Sequence, residues 1–233
     1  RHDTVRGGDN RKRLTRKAPQ SLIIAVLAFA GLTSSFMFTL VVPIQAELPE
    51  LLNSTRENTA WVVTSTLVAA AISAPISGRL GDMYGKRRIV LILLLTSIIG
   101  SLIAANTSEL ALVIVGSAMQ GTMTGVVPLG ISILRDTLHQ NRIDTAIALT
   151  SSTMGMGAGL GMPLSAYVTE IGDWHMLFLM AAGLGALCFV LVVLVVPPST
   201  LRTEGKFDYI GTALLSIGLV GVLLAVSRGN DWG

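Results

Sequence analysis

Cysteine is almost absent from this chain of 233 residues, in which Cys188 is the single example. One cysteine excludes an internal disulfide, and the three histidines are too far apart in sequence to suggest a metal site. Charged residues make up only 13% of the chain, and no nucleophile lies beside a candidate base. We therefore expect no enzyme, no bound metal and no cofactor.

Charge is missing above all from the middle of seven long apolar stretches. About 20 apolar residues cross a bilayer as a helix, because lipid cannot satisfy free backbone groups. One unpaired charge at the bilayer centre costs at least ~2.5 kcal/mol, so charges are confined to the loops. The sequence therefore predicts an all-α integral membrane protein. We number the predicted spans 1 to 7: Ser21–Gln45, Thr59–Ser77, Ile89–Asn106, Leu110–Leu134, Thr145–Thr169, Met176–Val196 and Ile210–Ser227.

The basic residues are distributed unequally between the two sides of these spans. Of the 17 lysines and arginines, all but Arg56 and Arg228 precede span 1 or follow an even-numbered span. The positive-inside rule then places the N-terminus in the cytoplasm and residue 233 on the other side of the membrane. We expect the basic tail to contact lipid headgroups rather than nucleic acid.

Two proline-containing patterns occur twice along the chain. Val41–Ile44 in span 1 resembles Val126–Leu129 in span 4, and Ala74–Gly78 in span 2 resembles Met162–Ala166 in span 5. Spans 1 and 4 run in opposite directions, so the pattern predicts a 3+3 inverted repeat, which is common in secondary transporters. Chance similarity is the alternative, because membrane helices are rich in glycine and proline.

These observations divide the chain into four parts. Residues 1–19 form a basic cytoplasmic tail that we expect to be disordered, and residues 20–197 form a six-span bundle. Residues 198–209 form a cytoplasmic loop, and residues 210–233 hold the seventh span and the start of an outer loop. The chain lacks an initial methionine and ends abruptly, so we expect it to be a portion of a longer protein.

The segment Gly78–Arg88 carries the most specific motif. It resembles the loop signature of the major facilitator superfamily, G-x-L-A-D-x-x-G-R-R/K, although Met83 replaces a usual basic residue. Glycine permits close approach or positive φ in a tight turn, and Asp82 can accept hydrogen bonds at a helix start.

The resemblance implies that Asp82 pairs with Arg135 at the cytoplasmic end of span 4. This cluster would latch the cytoplasmic face in one state of an alternating-access cycle. A basic loop that only sets topology is the alternative. The expected latch residues are Gly78, Leu80, Asp82, Gly85, Lys86, Arg87 and Arg135.

A second resemblance covers span 4. Gln120, Gly121 and Pro128 match the pattern R-x-x-Q-G, small residues, Pro of proton-coupled members, whereas Ser117 replaces the arginine. The family fold implies that spans 1 and 4 line a central cavity for a small-molecule substrate, although each side chain could instead face lipid or a neighbouring helix. The candidate lining residues are Phe36, Phe38, Thr39, Met119, Gln120 and Met123.

Span 5 contains two interleaved small-xxx-small pairs. Gly155 with Gly159 and Gly157 with Gly161 permit close helix packing. Together with Pro163 they resemble, in degraded form, the glycine-rich motif of antiporters.

The whole pattern resembles the N-terminal portion of fourteen-span drug:proton antiporters. Asp173–Phe178 and Phe207–Leu215 are similar to the entries of spans 6 and 7 in that group. The resemblance implies a multi-pass protein of the cell inner (plasma) membrane that exports small amphipathic or drug-like molecules, and it leaves open whether protons are exchanged. These spans contain no central acid, so the coupling group is expected in the missing part or at an edge residue such as Glu47 or Asp82. A facilitator or importer without proton coupling, and a truncated membrane interaction protein, are the alternatives.

Overall fold

A computed structural model describes residues 18–198 and 209–228, and each of the seven spans forms a helix in it. Most of the expected tail and most of the expected loop 198–209 lie outside the described residues. Span 1 is Gln20–Leu40, span 2 Arg56–Tyr84, span 3 Lys86–Ala105, span 5 Gln140–Ile171, span 6 His175–Val195 and span 7 Tyr209–Arg228. Span 4 consists of the α-helix Leu110–Gly121, the 3-10 segment Thr122–Gly125 and the α-helix Val126–Thr137. A 3-10 turn (Pro43–Ala46) and a short helix (Leu48–Leu51) connect spans 1 and 2. Every described element is a helix or a turn, which confirms the all-α membrane fold.

Length and composition alone qualify spans 1, 2, 3, 4 and 6 as membrane-crossing helices. Span 5 is long enough, but its glycine, serine and threonine residues lower its hydropathy. The described apolar part of span 7 is the shorter stretch Ile210–Leu223. Large apolar side chains are exposed on the outside of the bundle, for example Leu194 at 73% and Ile210 at 76%. Such a surface suits contact with lipid rather than water.

Helix pairing in the bundle follows the expected repeat. Span 1 packs mainly against span 5, span 2 against span 4, and span 3 against spans 4 and 6. If spans 1, 2 and 3 are exchanged with spans 4, 5 and 6, the pair of spans 1 and 5 becomes the pair of spans 4 and 2. The pair of spans 3 and 6 stays the same. Span 7 packs against span 2. This pairing is the pattern that two inverted three-span repeats produce.

The repeated prolines occupy corresponding places in the two halves of the bundle. Pro75 lies inside the helix of span 2, and Pro163 lies inside that of span 5. Pro43 begins the 3-10 turn after span 1, and Pro128 follows the 3-10 segment of span 4. Each repeat therefore has one irregular helix and one long helix that contains a proline.

Spans 3 and 4 meet through a pair of glycines. A Cβ added to Gly100 would lie 2.5 Å from the carbonyl oxygen of Gly116, and a Cβ on Gly116 would lie 2.5 Å from that of Gly100. Such backbone contact requires small residues on both helices. This contact holds the second half of span 3 against the first half of span 4.

Candidate functional site

The segment Gly78–Arg88 is helical except at one residue. The helix of span 2 continues to Tyr84, and span 3 begins at Lys86, so Gly85 alone separates them. Its φ of 103° lies in the region that favours glycine, as the sequence predicts. We refer to the end of the bundle that carries this segment as the motif end.

The other glycines of the segment have different surroundings. A Cβ on Gly81 would collide with a Leu129 methyl group of span 4, so a small residue is needed where the two helices touch. A Cβ on Gly78 would meet nothing within 4 Å, and Gly78 lies inside a regular helix. The expectation that Gly78 provides a close approach or a positive φ is therefore wrong. Leu80 is half-buried and packs against the apolar core.

An ion pair joins spans 3 and 4 at the motif end. The Nζ atom of Lys86 lies 2.6 Å from Oδ2 of Asp136, and the two side chains are 10% and 27% exposed. Among the described residues, no ion pair joins Asp82 to Arg135 or to Lys86 in this structure, so the pairing of Asp82 with Arg135 stays a prediction for one state of the transport cycle. Neighbouring helix positions differ by about 100°, so the Asp136 side chain reaches Lys86 of span 3, whereas the exposed Arg135 side chain points in another direction.

Arg87, the second residue of the basic pair, binds a different helix. Its Nη2 donates a 2.7 Å hydrogen bond to the carbonyl oxygen of Val193, in the last turn of span 6. Carbonyls at a helix C-terminus lack intrahelical partners and attract cations. Lys86 and Arg87 therefore tie the start of span 3 to the ends of spans 4 and 6.

The expected cavity residues of span 4 turn into the bundle. Gln120 is 4% exposed, and its Nε2 donates a 3.2 Å hydrogen bond to the hydroxyl of Ser101 in span 3. Met119 lies beside Gly100 of span 3, and Met123 is buried. Gln120 and Met123 are therefore packed inside the bundle, and Met119 lies between spans 3 and 4.

The expected cavity residues of span 1 face three directions. Phe38 is exposed. Thr39 lies against Gly161 of span 5, and its hydroxyl donates to backbone carbonyls of its own helix. Phe36 is buried at the base of an apolar groove of about 770 Å³ between spans 5 and 6, with Leu160 and Leu187 on its walls. Phe38 is thus the cavity candidate most accessible in this structure.

The two glycine pairs of span 5 face different neighbours. A Cβ on Gly157 would collide with the carbonyl oxygen of Leu32, and a Cβ on Gly161 with the hydroxyl of Thr39, so this pair packs on span 1. A Cβ on Gly155 or Gly159 would meet nothing within 4 Å. Gly157 and Gly161 therefore allow spans 1 and 5 to pack closely, whereas Gly155 and Gly159 lie on an open surface near the exposed Pro163.

The sequence did not reveal how the irregular middle of span 4 is held. Pro128 lacks a backbone N–H, and the preceding segment Thr122–Gly125 is a 3-10 helix. Three serine hydroxyls of spans 1 and 2 donate to carbonyl oxygens in that segment. The bonds run from Ser73 to Thr122 at 2.8 Å, from Ser77 to Gly125 at 3.4 Å and from Ser34 to Met123 at 3.4 Å.

The same kind of bond recurs at the two equivalent helix interfaces. Span 2 donates hydroxyls to span 4, and span 5 donates hydroxyls to span 1. The further bonds run from Ser65 to Ile114, from Thr66 to Ser117, from Thr153 to Ala28 and from Ser165 to Leu40, at 3.2, 3.2, 3.0 and 2.6 Å. Hydroxyl-to-carbonyl bonds between helices therefore accompany the close glycine contacts in both repeats.

Within the described parts of the chain, no three His, Cys, Asp or Glu side chains are grouped to hold a metal ion. Cys188 is a free thiol buried in span 6.

Comparison with known proteins identifies the family to which this fold belongs. The family model of the Major Facilitator Superfamily matches residues 27–228. The chain belongs to the major facilitator superfamily. This superfamily consists of membrane transporters, which confirms the resemblance seen in Gly78–Arg88 and the expectation that the protein is not an enzyme.

Relatives within the superfamily include proteins named for multidrug resistance. Multidrug resistance protein 3 of Bacillus subtilis is 26% identical over 93% of this chain and 43% of its own length. A multidrug resistance protein B homolog of Mycobacterium tuberculosis is 29% identical over 91% of this chain and 41% of its own length. A uridine/deoxyuridine transporter of Lactococcus lactis is 27% identical, with coverage of 89% and 42%. The chain spans less than half the length of these relatives.

Solved transporters share the fold. The human organic anion transporter MFSD10 superimposes with a TM-score of 0.69 at 17% identity, over 90% of this chain and 57% of that protein. The peptide transporter POT in complex with sulfate gives a TM-score of 0.69 at 20% identity, over 91% and 47%. At these identities the likeness shows the fold alone.

Proposed function

We propose that the complete protein is a secondary active transporter that exports small amphipathic or drug-like molecules by alternating access. The observation that carries the proposal is the family match over residues 27–228, together with relatives named for multidrug resistance. The paired repeats in the bundle support it, because inverted repeats place a substrate site near the middle of the membrane.

In this proposal the motif end faces the cytoplasm of the cell inner membrane. The charge distribution supports that orientation, because only Arg56 and Arg228 among the lysines and arginines lie on the other side. The basic tail 1–19 and the loop 198–209 are then cytoplasmic. Span 7 leads towards a second bundle, which the greater length of the relatives supports.

The substrate cavity would lie between this bundle and the second one. Exposed Phe38 would contact the substrate directly, because an aromatic side chain suits an apolar site that accepts varied molecules. Gln120 and Met123 would form the layer behind it, where the hydrogen bond to Ser101 fixes the amide. Phe36, Thr39 and Met119 would join the lining only after spans 1, 4 and 5 move.

The latch would form between the two bundles at the motif end. Lys86 and Asp136 already neutralise each other inside this bundle. Half-buried Asp82 and exposed Arg135 have no ion pair among the described residues, so both are available to the second bundle in one state of the cycle.

Proton coupling would use a group outside the middle of these spans. Carriers at mid-membrane depth are typically Asp, Glu or His, and the central parts of all seven spans lack them. If transport is driven by protons, the carrier therefore lies in the second half or at a span end.

The test is energised efflux of ethidium from bacteria that lack their main drug exporters and express the complete gene. We expect efflux from these cells and strong slowing by Asp82→Asn at an unchanged amount of protein in the membrane. Asp144→Asn, which removes a different, exposed carboxylate at the motif end, is the control. Absence of efflux would refute drug export, and equal rates in both variants would refute the latch.

A second candidate is uptake of a small solute without proton coupling. The relative named as a uridine/deoxyuridine transporter favours it. Radiolabelled uridine that accumulates in cells only to its external concentration, with no ethidium efflux, would establish this alternative.

A further inference from the structure

His175, the first residue of span 6, links three segments at the end opposite the motif end. Its Nδ1 lies 2.7 Å from Oδ1 of Asp173, in the turn between spans 5 and 6. Its Nε2 lies 3.0 Å from the backbone carbonyl oxygen of Thr107, in the connection between spans 3 and 4, and 3.3 Å from the Ser108 hydroxyl. One imidazole ring therefore bridges the connection between the two repeats and the start of the last helix of the second repeat.

The chemistry of the two acceptors favours a doubly protonated ring. A carboxylate and a backbone carbonyl can only accept hydrogen bonds, so both ring nitrogens must donate to satisfy Asp173 and Thr107 together. A neutral imidazole has one N–H, and its other nitrogen would present a lone pair to an acceptor. The Ser108 hydroxyl can relieve that repulsion at Nε2, but it cannot keep the bond to Thr107.

An aromatic neighbour favours the cation as well. The rings of Trp174 and His175 have centroids 3.9 Å apart and planes tilted by 33°, and Phe178 packs edge-on against Trp174 at 5.9 Å. Trp174 is buried, so the indole is held in place beside the imidazole. A cation within about 6 Å of an aromatic centroid is attracted to the ring face.

The charged residues on the adjoining segments are all acidic. Glu109 precedes span 4, Glu170 lies in the last turn of span 5, and Asp173 touches the ring itself. The hydrogen bond that His175 donates lowers the pKa of Asp173, so this carboxylate keeps its charge in mildly acidic solution. No described lysine or arginine lies in these segments to oppose a proton on the ring.

We propose that His175 is a proton-binding clamp, which when protonated ties the connection between spans 3 and 4 to the start of span 6. Imidazole changes its charge between about pH 5 and 8, so the clamp holds in mildly acidic solution and loses one bond as the pH rises. In the proposed orientation it senses the pH outside the cell. The clamp concerns the bundle alone and does not depend on the substrate or on the coupling ion.

Trp174 provides a direct test, because a protonated imidazole quenches the fluorescence of an indole that it touches. The complete protein carries Trp61→Phe and Trp232→Phe, together with phenylalanine at any tryptophan outside these 233 residues, and its emission in detergent is followed from about pH 8 to about pH 5. We expect one sigmoidal decrease on acidification that disappears in His175→Gln and remains in His139→Gln, the control at the motif end. A pH-independent signal, or a decrease that survives His175→Gln, would overturn the proposal.

Discussion

Two glycines of span 5, two positions apart, should respond oppositely to the same substitution. In Gly157→Ala, the new Cβ would collide with the carbonyl oxygen of Leu32 and lie 3.1 Å from its carbonyl carbon and Cα, all of them backbone atoms of span 1. In Gly159→Ala, the new Cβ would meet nothing within 4 Å. A rotamer change cannot relieve the first contact, so spans 1 and 5 must move apart.

The expected difference in melting temperature follows from two opposing contributions to the free energy of unfolding. Replacing glycine by alanine in a helix gains up to ~1 kcal/mol in propensity, and this gain is nearly the same for both variants. Overpacking a tight contact costs about 1–3 kcal/mol and applies to Gly157 alone. The difference between the variants therefore isolates the clash. At about 2–4 °C per kcal/mol, Gly157→Ala should melt about 2–12 °C below Gly159→Ala.

The protein contains its own reporter for this measurement. Cys188 is the single cysteine of these 233 residues and is buried, so a dye that becomes fluorescent on reaction with thiols signals unfolding of the bundle, provided that any cysteine elsewhere in the complete protein is replaced by serine. The two variants and the unmodified protein are heated in the same detergent. Gly159→Ala should melt at or above the temperature of the unmodified protein. Equal melting temperatures for the two variants would refute the close contact between spans 1 and 5.

Three further predictions concern the ion pair of Lys86, the 3-10 segment of span 4 and the orientation in the membrane. Lys86→Met should lower the free energy of unfolding by about 1–3 kcal/mol, because it leaves Asp136 unpaired. The double variant Lys86→Asp with Asp136→Lys should recover part of this loss, and the same thiol-dye melt measures both. Ser73→Ala should cost about 1 kcal/mol, because a carbonyl oxygen of the 3-10 segment loses its donor; an unchanged melting temperature would show that this bond is dispensable. A membrane-impermeant thiol reagent should label Ser108→Cys in intact cells and Tyr84→Cys only after permeabilisation, and the reverse result would overturn the orientation.

The spans are predictable because lipid leaves a chain few alternatives. An apolar run of sufficient length must be a helix, and charged residues must lie outside it, so the number and order of the helices follow from hydropathy. The helix ends are less predictable. Span 2 begins at Arg56 and ends at Tyr84, beyond the predicted Thr59–Ser77, because hydropathy locates the part of a helix in lipid and not its continuation into water.

The motif at the end of span 2 was predictable as a segment but not as a set of contacts. A single helix position changes the direction of a side chain by about 100°, so the sequence cannot tell whether Arg135 or Asp136 faces span 3. That choice depends on the rotation of span 4, which the contact between Gly100 and Gly116 helps to set. The same rotation turns Gln120 towards Ser101.

The hydroxyl bonds to the 3-10 segment could not have been inferred from local sequence. Pro128 signals an interruption in span 4, but the donors Ser34 and Ser73 come from other helices. Serine and threonine are common in membrane helices, and many of them bond only to their own backbone, as Thr33 does to Phe29. Which hydroxyls cross to a neighbour is decided by packing.

Span 2 binds the main chain of span 4, and this affects which substitutions the two helices can accept in evolution. The acceptors of the hydroxyls from Ser65, Thr66, Ser73 and Ser77 are backbone carbonyls, which every amino acid provides. A substitution in span 4 that keeps the helix path therefore leaves these four bonds intact, whereas loss of a single serine or threonine in span 2 removes one of them. If span 4 lines the proposed substrate cavity, selection for a new substrate could alter its cavity-facing side chains while the hydroxyls of span 2 stay constrained.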